Sequence, residues 1–151
     1  MNEEELKTKA AALREKLDRD AREGGYILNP DADMTGFLCE GLVRNIERYG
    51  YMACPCRLAS GKREEDLDII CPCDYRDPDL AEHGACFCAL YVDADIASGK
   101  KEARSVPERR PDAEQRAAGA AKKSPEKNAP ARSAGTRARA RVPLPGRTLT
   151  P

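Results

Sequence analysis

CPCRLASGKREEDLDIICPCDYRDPDLAEHGACFC, residues 54–88, holds six of the seven cysteines of this 151-residue chain as three C-x-C pairs. The pairs are Cys54-Pro55-Cys56, Cys71-Pro72-Cys73 and Cys86-Phe87-Cys88. A residue before proline is pushed toward an extended conformation, so Cys54 and Cys71 are expected to be extended. Side chains two apart on an extended chain point to the same side, whereas on a helix they diverge by about 200°. The spacing therefore suits a shared polynuclear centre, or one ligand beside one reactive thiol. An iron–sulfur cubane takes four thiolates, which leaves two of the six sulfurs for a disulfide. A structural zinc also takes four ligands, but its pairs are usually spaced C-x2-4-C. Three ordinary disulfides would need an oxidising compartment, and the opening MNEEELKTKAAALREKL lacks the pattern of an export signal. The residues alone leave cluster, zinc and disulfides open, with the cluster the best fit.

The three pairs and their flanks resemble the catalytic chain of ferredoxin–thioredoxin reductase, a family with C-P-C, C-P-C and C-H-C in this order. The run Arg48-Tyr49-Gly50-Tyr51-Met52-Ala53-Cys54-Pro55-Cys56-Arg57 is similar to that family's approach to its first pair. The resemblance covers about residues 25–95. It implies a [4Fe-4S] cluster held by Cys54, Cys71, Cys73 and Cys86, with Cys56 and Cys88 as the redox-active disulfide beside it. It also implies the activity: a ferredoxin-dependent disulfide reductase that reduces thioredoxin or a thioredoxin-like protein in two one-electron steps. In that scheme the first electron cleaves Cys56–Cys88, retains Cys88 at the cluster and frees Cys56 to attack the partner's disulfide. The second electron releases Cys88 to resolve the mixed disulfide. A second, small variable subunit is a further partner that the resemblance implies. Two readings of other classes stand beside it: a zinc-stabilised cysteine-rich binding module, and a simple iron–sulfur electron carrier without a working dithiol.

The chain departs from the family at Phe87, where the family has histidine. The sole histidine, His83, lies three residues before Cys86 and is either a substitute for that imidazole or a solvated side chain. Arg57 is either a cation that favours the Cys56 thiolate or a surface charge.

Outward from the cysteines, residues 2–22 read as a helix with an apolar stripe at Leu6, Ala10, Leu13 and Leu17, ended by Gly24-Gly25. A second helix is expected from about Asp33 to Tyr49, with Gly50 at its end and Phe37, Leu38, Gly41, Leu42 and Ile46 as its buried face. Cys39 sits on it as a small buried residue. A short helix over 64–70, another starting at Asp77-Pro78 and stopped by Gly84, and an extended segment at 89–92 complete the reading. The expected fold is mainly α, a small cluster-centred helical domain with cysteine-bearing loops. Its divisions are an N-terminal helix at 1–24 packing on an iron–sulfur disulfide reductase domain at 25–97, then a disordered basic tail at 98–151.

Charge supports that division. Residues 1–99 hold 12 Lys/Arg against 21 Asp/Glu, and residues 100–151 hold 14 against 5, so a net of −9 meets a net of +9. The tail contains no aromatic residue and seven of the eleven prolines, a composition that cannot bury enough surface to fold. Its Arg137-Ala138-Arg139-Ala140-Arg141 run lacks the aromatic residues that stack on bases, so a docking or solubilising role is expected rather than a nucleic-acid partner. Arg44, Arg48, Arg57, Lys62, Arg63 and Arg76 flank the cysteines, either as a local positive face for the electron donor or as scattered charges. No apolar run reaches the length of a membrane span, so no membrane partner is expected, and the cysteine usage points to a cytoplasmic location.

Overall fold

A computed structural model of the chain describes residues 1–120. It is mainly helical. Helix α1, Glu3–Gly24, starts in a capping box: the Asn2 side chain accepts from the Glu5 N–H (2.8 Å), and the Glu5 carboxylate accepts from the Asn2 N–H (2.9 Å). It ends at Gly25, whose φ of 85° is the left-handed conformation that glycine adopts at little cost. Leu6, Ala10, Leu17 and Ala21 are buried, with Leu13 partly so, and this stripe packs on helix α2, Ala32–Tyr49.

Asp31 caps α2 by accepting from the N–H groups of Asp33 and Met34 (both 3.1 Å). The face that α2 buries differs from the expected one. Leu38 and Leu42 are inside, but Phe37 is 70% exposed and Ile46 38%. The buried set is Thr35, Leu38, Cys39, Leu42 and Val43, spaced i, i+3, i+4, i+7 and i+8. A stripe through Phe37 would lie on the other side of the helix. Apolar character suggested the wrong phase because Thr35, though polar, is buried and donates its hydroxyl to the Asn29 carbonyl (2.7 Å).

Strands β1, Ile27–Leu28, and β2, Tyr91–Val92, pair antiparallel with Ile27 opposite Val92 and Leu28 opposite Tyr91. This pairing ties the chain just after the last cysteine to the entrance of α2, and Asn29 extends the tie by donating its N–H to the Leu90 carbonyl (2.8 Å). Between α2 and β2 the chain forms a 3-10 turn at Leu67–Ile69, shorter than the helix expected over 64–70, and helix α3, Arg76–His83, which begins just before Asp77-Pro78 and ends at Gly84. Helix α4 is one turn, Ala94–Ala97, and α5 spans Ala113–Ala120.

The chain does not leave the domain at residue 98. Val106 is 7% exposed and packs with Ala85 and Val92, and the following Glu108, Arg109 and Arg110 pair with Arg57, Asp79 and Asp68. The acidic surplus of residues 1–99 favours the Arg109 and Arg110 pairings, and composition alone could not locate any of the three. The Arg137–Arg141 run and the rest of the chain after residue 120 lie outside the described residues. No described helix is long and apolar enough to cross a membrane.

Candidate functional site

Three loops carry the cysteine pairs, and backbone bonds bring the loops together. The Cys54 N–H donates to the Ile69 carbonyl and the Cys71 N–H to the Met52 carbonyl (both 2.8 Å), so Ala53 and Ile70 pair as an antiparallel bridge. The first and second pairs are thereby adjacent. The third is a tight turn: the Ala89 N–H reaches the Cys86 carbonyl (2.8 Å), the Cys86 N–H reaches the Tyr91 carbonyl (3.0 Å), and Ala89 takes φ 62°. The Cys71–Pro72 peptide bond is cis. Helix α2 supports the first loop at Gly41, where a Cβ would fall 2.8 Å from the Pro55 Cβ.

Cys54, Cys71, Cys73, Cys86 and Cys88 line one small pocket, with Arg57, Arg76, Phe87 and Tyr91. All of these sulfurs but Cys73 belong to buried residues, and Cys73 is half-buried. Cys56 differs: it is exposed, yet its thiol interacts with that of Cys88. Cys88 is the hub. Its thiol lies 3.8 Å from that of Cys86 and also interacts with those of Cys54 and Cys56. These interactions, with burial, hold Cys88 protonated far above the usual thiol range. The same interactions with Cys88 lower Cys54 and Cys56, and they bring Cys86 down to about 6 with further help from the Tyr91 and Leu90 N–H groups. Cys71 and Cys73 move the other way, because burial disfavours the thiolate.

Arg57 is not a surface charge. Its side chain is 2% exposed, its Nη1 lies 3.4 Å from Cys73 Sγ, and its guanidinium sits 4.5 Å from the centre of the Phe87 ring and 5.0 Å from that of Tyr75. Its hydrogen bond to sulfur is to Cys73, while its charge also helps to lower the neighbouring Cys56. Arg76 is likewise turned inward over the rings of Tyr26 (3.6 Å) and Tyr91 (4.8 Å), so neither arginine contributes to an exposed positive face. His83 stands outside the pocket beside Glu82 (3.6 Å) and does not take the place of an imidazole between the last two cysteines. Cys39 is fully buried away from the pocket, and burial pushes its thiol up.

The residues that sequence reasoning missed are Glu108, Arg109 and Arg110. The available signal was Val106-Pro107, an apolar residue and a rigid one, immediately before charges of both signs.

The pocket's donor set suits an iron–sulfur cluster. Several thiols from separate loops face one desolvated space, and two inward arginines offset the negative charge that thiolates and cluster would bring. Among the described residues no group of three or more His, Cys, Asp or Glu side chains is placed to hold a metal ion.

Residues 3–110 match the profile of the ferredoxin thioredoxin reductase catalytic beta chain. The chain belongs to this family of oxidoreductases. It is 30% identical over 95 residues to the ferredoxin-thioredoxin reductase catalytic chain of Pyropia yezoensis, covering 60% of this chain and 78% of that one. The catalytic chain of Porphyra purpurea is also 30% identical, over 86 residues that cover 56% of this chain and 70% of the relative. That of Synechocystis sp. is 29% identical over 87 residues, again 56% and 70%. The match to the family runs through residue 110, which takes in the segment carrying Glu108 to Arg110.

Proposed function

We propose that the protein is a ferredoxin-dependent disulfide reductase acting on thioredoxin or a thioredoxin-like protein, working in the cytoplasm. The observation that carries this reading is the split among the sulfurs: one exposed thiol, Cys56, interacts with one buried thiol, Cys88, which shares its pocket with the other four. Cys54, Cys71, Cys73 and Cys86 would hold a [4Fe-4S] cluster, in line with the family resemblance. When bound, the cluster would supply electrons singly, which a two-electron disulfide cannot otherwise accept from ferredoxin.

The chain's own residues account for the exchange. Cys56 is the thiol that a protein partner can reach, and its interaction with Cys88 favours its thiolate. The thiolate attacks one sulfur of the partner's disulfide, and the displaced sulfur leaves as a thiolate that takes up a proton. Cys88, once deprotonated, then attacks Cys56 Sγ. That step frees the partner's second thiol, which also takes a proton, and restores the Cys56–Cys88 bond. Two electrons and two protons thus reach the partner. Burial of Cys88 keeps outside thiols and water from intercepting the resolving step. A small variable subunit is a further partner in this reading.

The test is anaerobic purification with metal analysis, followed by incubation with reduced ferredoxin and oxidised thioredoxin. Iron and acid-labile sulfide in the protein, with thioredoxin thiols appearing only when both partners are present, is the expected result. Zinc without iron would replace the reductase by a binding module. Iron with no thioredoxin thiols would leave a simple electron carrier.

A further inference from the structure

Arg57 makes three engagements with one rigid group. Nε and Nη2 donate to the two carboxylate oxygens of Glu108 (2.8 and 2.7 Å), Nη1 donates toward Cys73 Sγ (3.4 Å), and the guanidinium lies 4.5 Å from the centre of the Phe87 ring. A planar fork cannot keep its hold on the sulfur if the bidentate end is released. Glu108 is 51 residues away in sequence and lies outside the cysteine pattern. Its carboxylate is 39% exposed while Arg57 is 2% exposed, so Glu108 approaches the buried cation from the rim.

The segment that carries Glu108 does not depend on it for attachment. Val106 is buried, Arg109 binds the fully buried Asp79 (2.6 Å), and Arg110 binds Asp68 through two nitrogens (2.8 and 3.1 Å). Loss of the Glu108 carboxylate would therefore fall on Arg57 and on the Arg110 N–H that it also accepts from (2.9 Å), while Val106 and the Arg109 and Arg110 side chains keep the segment attached.

We infer that Glu108 is a positioning residue of the redox site: it aligns Arg57 against Cys73 and Phe87, and through Arg57 it sets how readily the group held by Cys73 is reduced. The inference rests on the function proposed above. Reduction adds negative charge, so an aligned cation favours the reduced form. Misalignment lowers the midpoint potential. Removing a carboxylate that acted only through space would raise it. The sign of the shift separates the two.

The experiment is a redox titration of the anaerobically purified holoprotein, followed by its spectrum, with iron per chain and melting temperature recorded for each variant. Glu108→Ala is expected to retain iron and to lower the reduced-to-oxidised ratio at fixed potential about tenfold, a shift of about 59 mV for one electron. Glu108→Gln, which keeps one acceptor, should shift it less. In the Arg57→Gln background Glu108→Ala should add nothing. An unchanged or raised potential in Glu108→Ala, or an equal shift in both backgrounds, overturns the inference. Absence of iron from the wild-type protein overturns the proposed function instead, and the inference with it.

Discussion

Cys56 is exposed and Cys88 buried although their thiols interact, and the proposed roles rest on this contrast. Cys56→Ser should keep its iron but lose thioredoxin reduction by more than about a thousandfold, as loss of a nucleophile does, measured as partner thiols formed per minute. Retained turnover would remove Cys56 from the exchange. Ala89 offers a second test at this scale. It holds φ 62° in the turn of the third pair, a conformation that costs a residue with a Cβ about 1 kcal/mol. Ala89→Gly should therefore raise stability toward denaturant by up to about that amount, with iron content unchanged. A loss of stability would show that the turn is held by something other than backbone preference.

Elements are what bring distant cysteines together, and two joints matter most. Helix α2 meets the first cysteine loop at Gly41, where a Cβ would come 2.8 Å from that of Pro55. Gly41→Ala should push the loop off the helix, cost about 1–3 kcal/mol as overpacking does, and lower iron per chain. Wild-type stability and iron in that variant would show that the contact relaxes freely. The second joint is the strap through Arg110 and Asp68. Burial raises the Asp68 pKa, but bonds from Arg110 and Tyr75 outweigh it, so the carboxyl titrates below its ordinary value of 3.8. A group lowered on folding stabilises the protein above its unfolded pKa and loses that contribution as pH falls through the folded one. Stability should therefore drop as pH falls below about 3.8, and Arg110→Gln should flatten that part of the curve while costing about 3 kcal/mol near neutrality. Denaturation midpoints at several pH values would show it, and an identical acid slope in the variant would contradict it.

At the scale of the molecule, the domain boundary proposed from composition at residue 97 needs to move past the strap. A chain ending at residue 120 should keep the iron content and melting temperature of the full chain, whereas one ending at residue 99 should lose part of both. Much of this architecture was legible. Helices α1 and α2 follow from their caps and periodicity, and the mainly helical class follows with them. The three C-x-C pairs predicted a common centre, and five of the six sulfurs line one pocket, with Cys56 interacting with Cys88. What escaped were long-range contacts between polar groups. Thr35 is buried because Asn29 lies above it, and Glu108 matters because Arg57 is buried 51 residues earlier. Local pattern carries no record of either partner.

In the proposed reductase four sulfurs hold iron while Cys56 and Cys88 remain available for exchange. The decisive measurement is iron and acid-labile sulfide per chain across the six single Cys→Ser variants of the paired cysteines. Both should be lost in the variants at Cys54, Cys71, Cys73 and Cys86, and retained in the variants at Cys56 and Cys88. Iron lost with Cys56 or Cys88, or kept without one of the other four, would contradict this assignment.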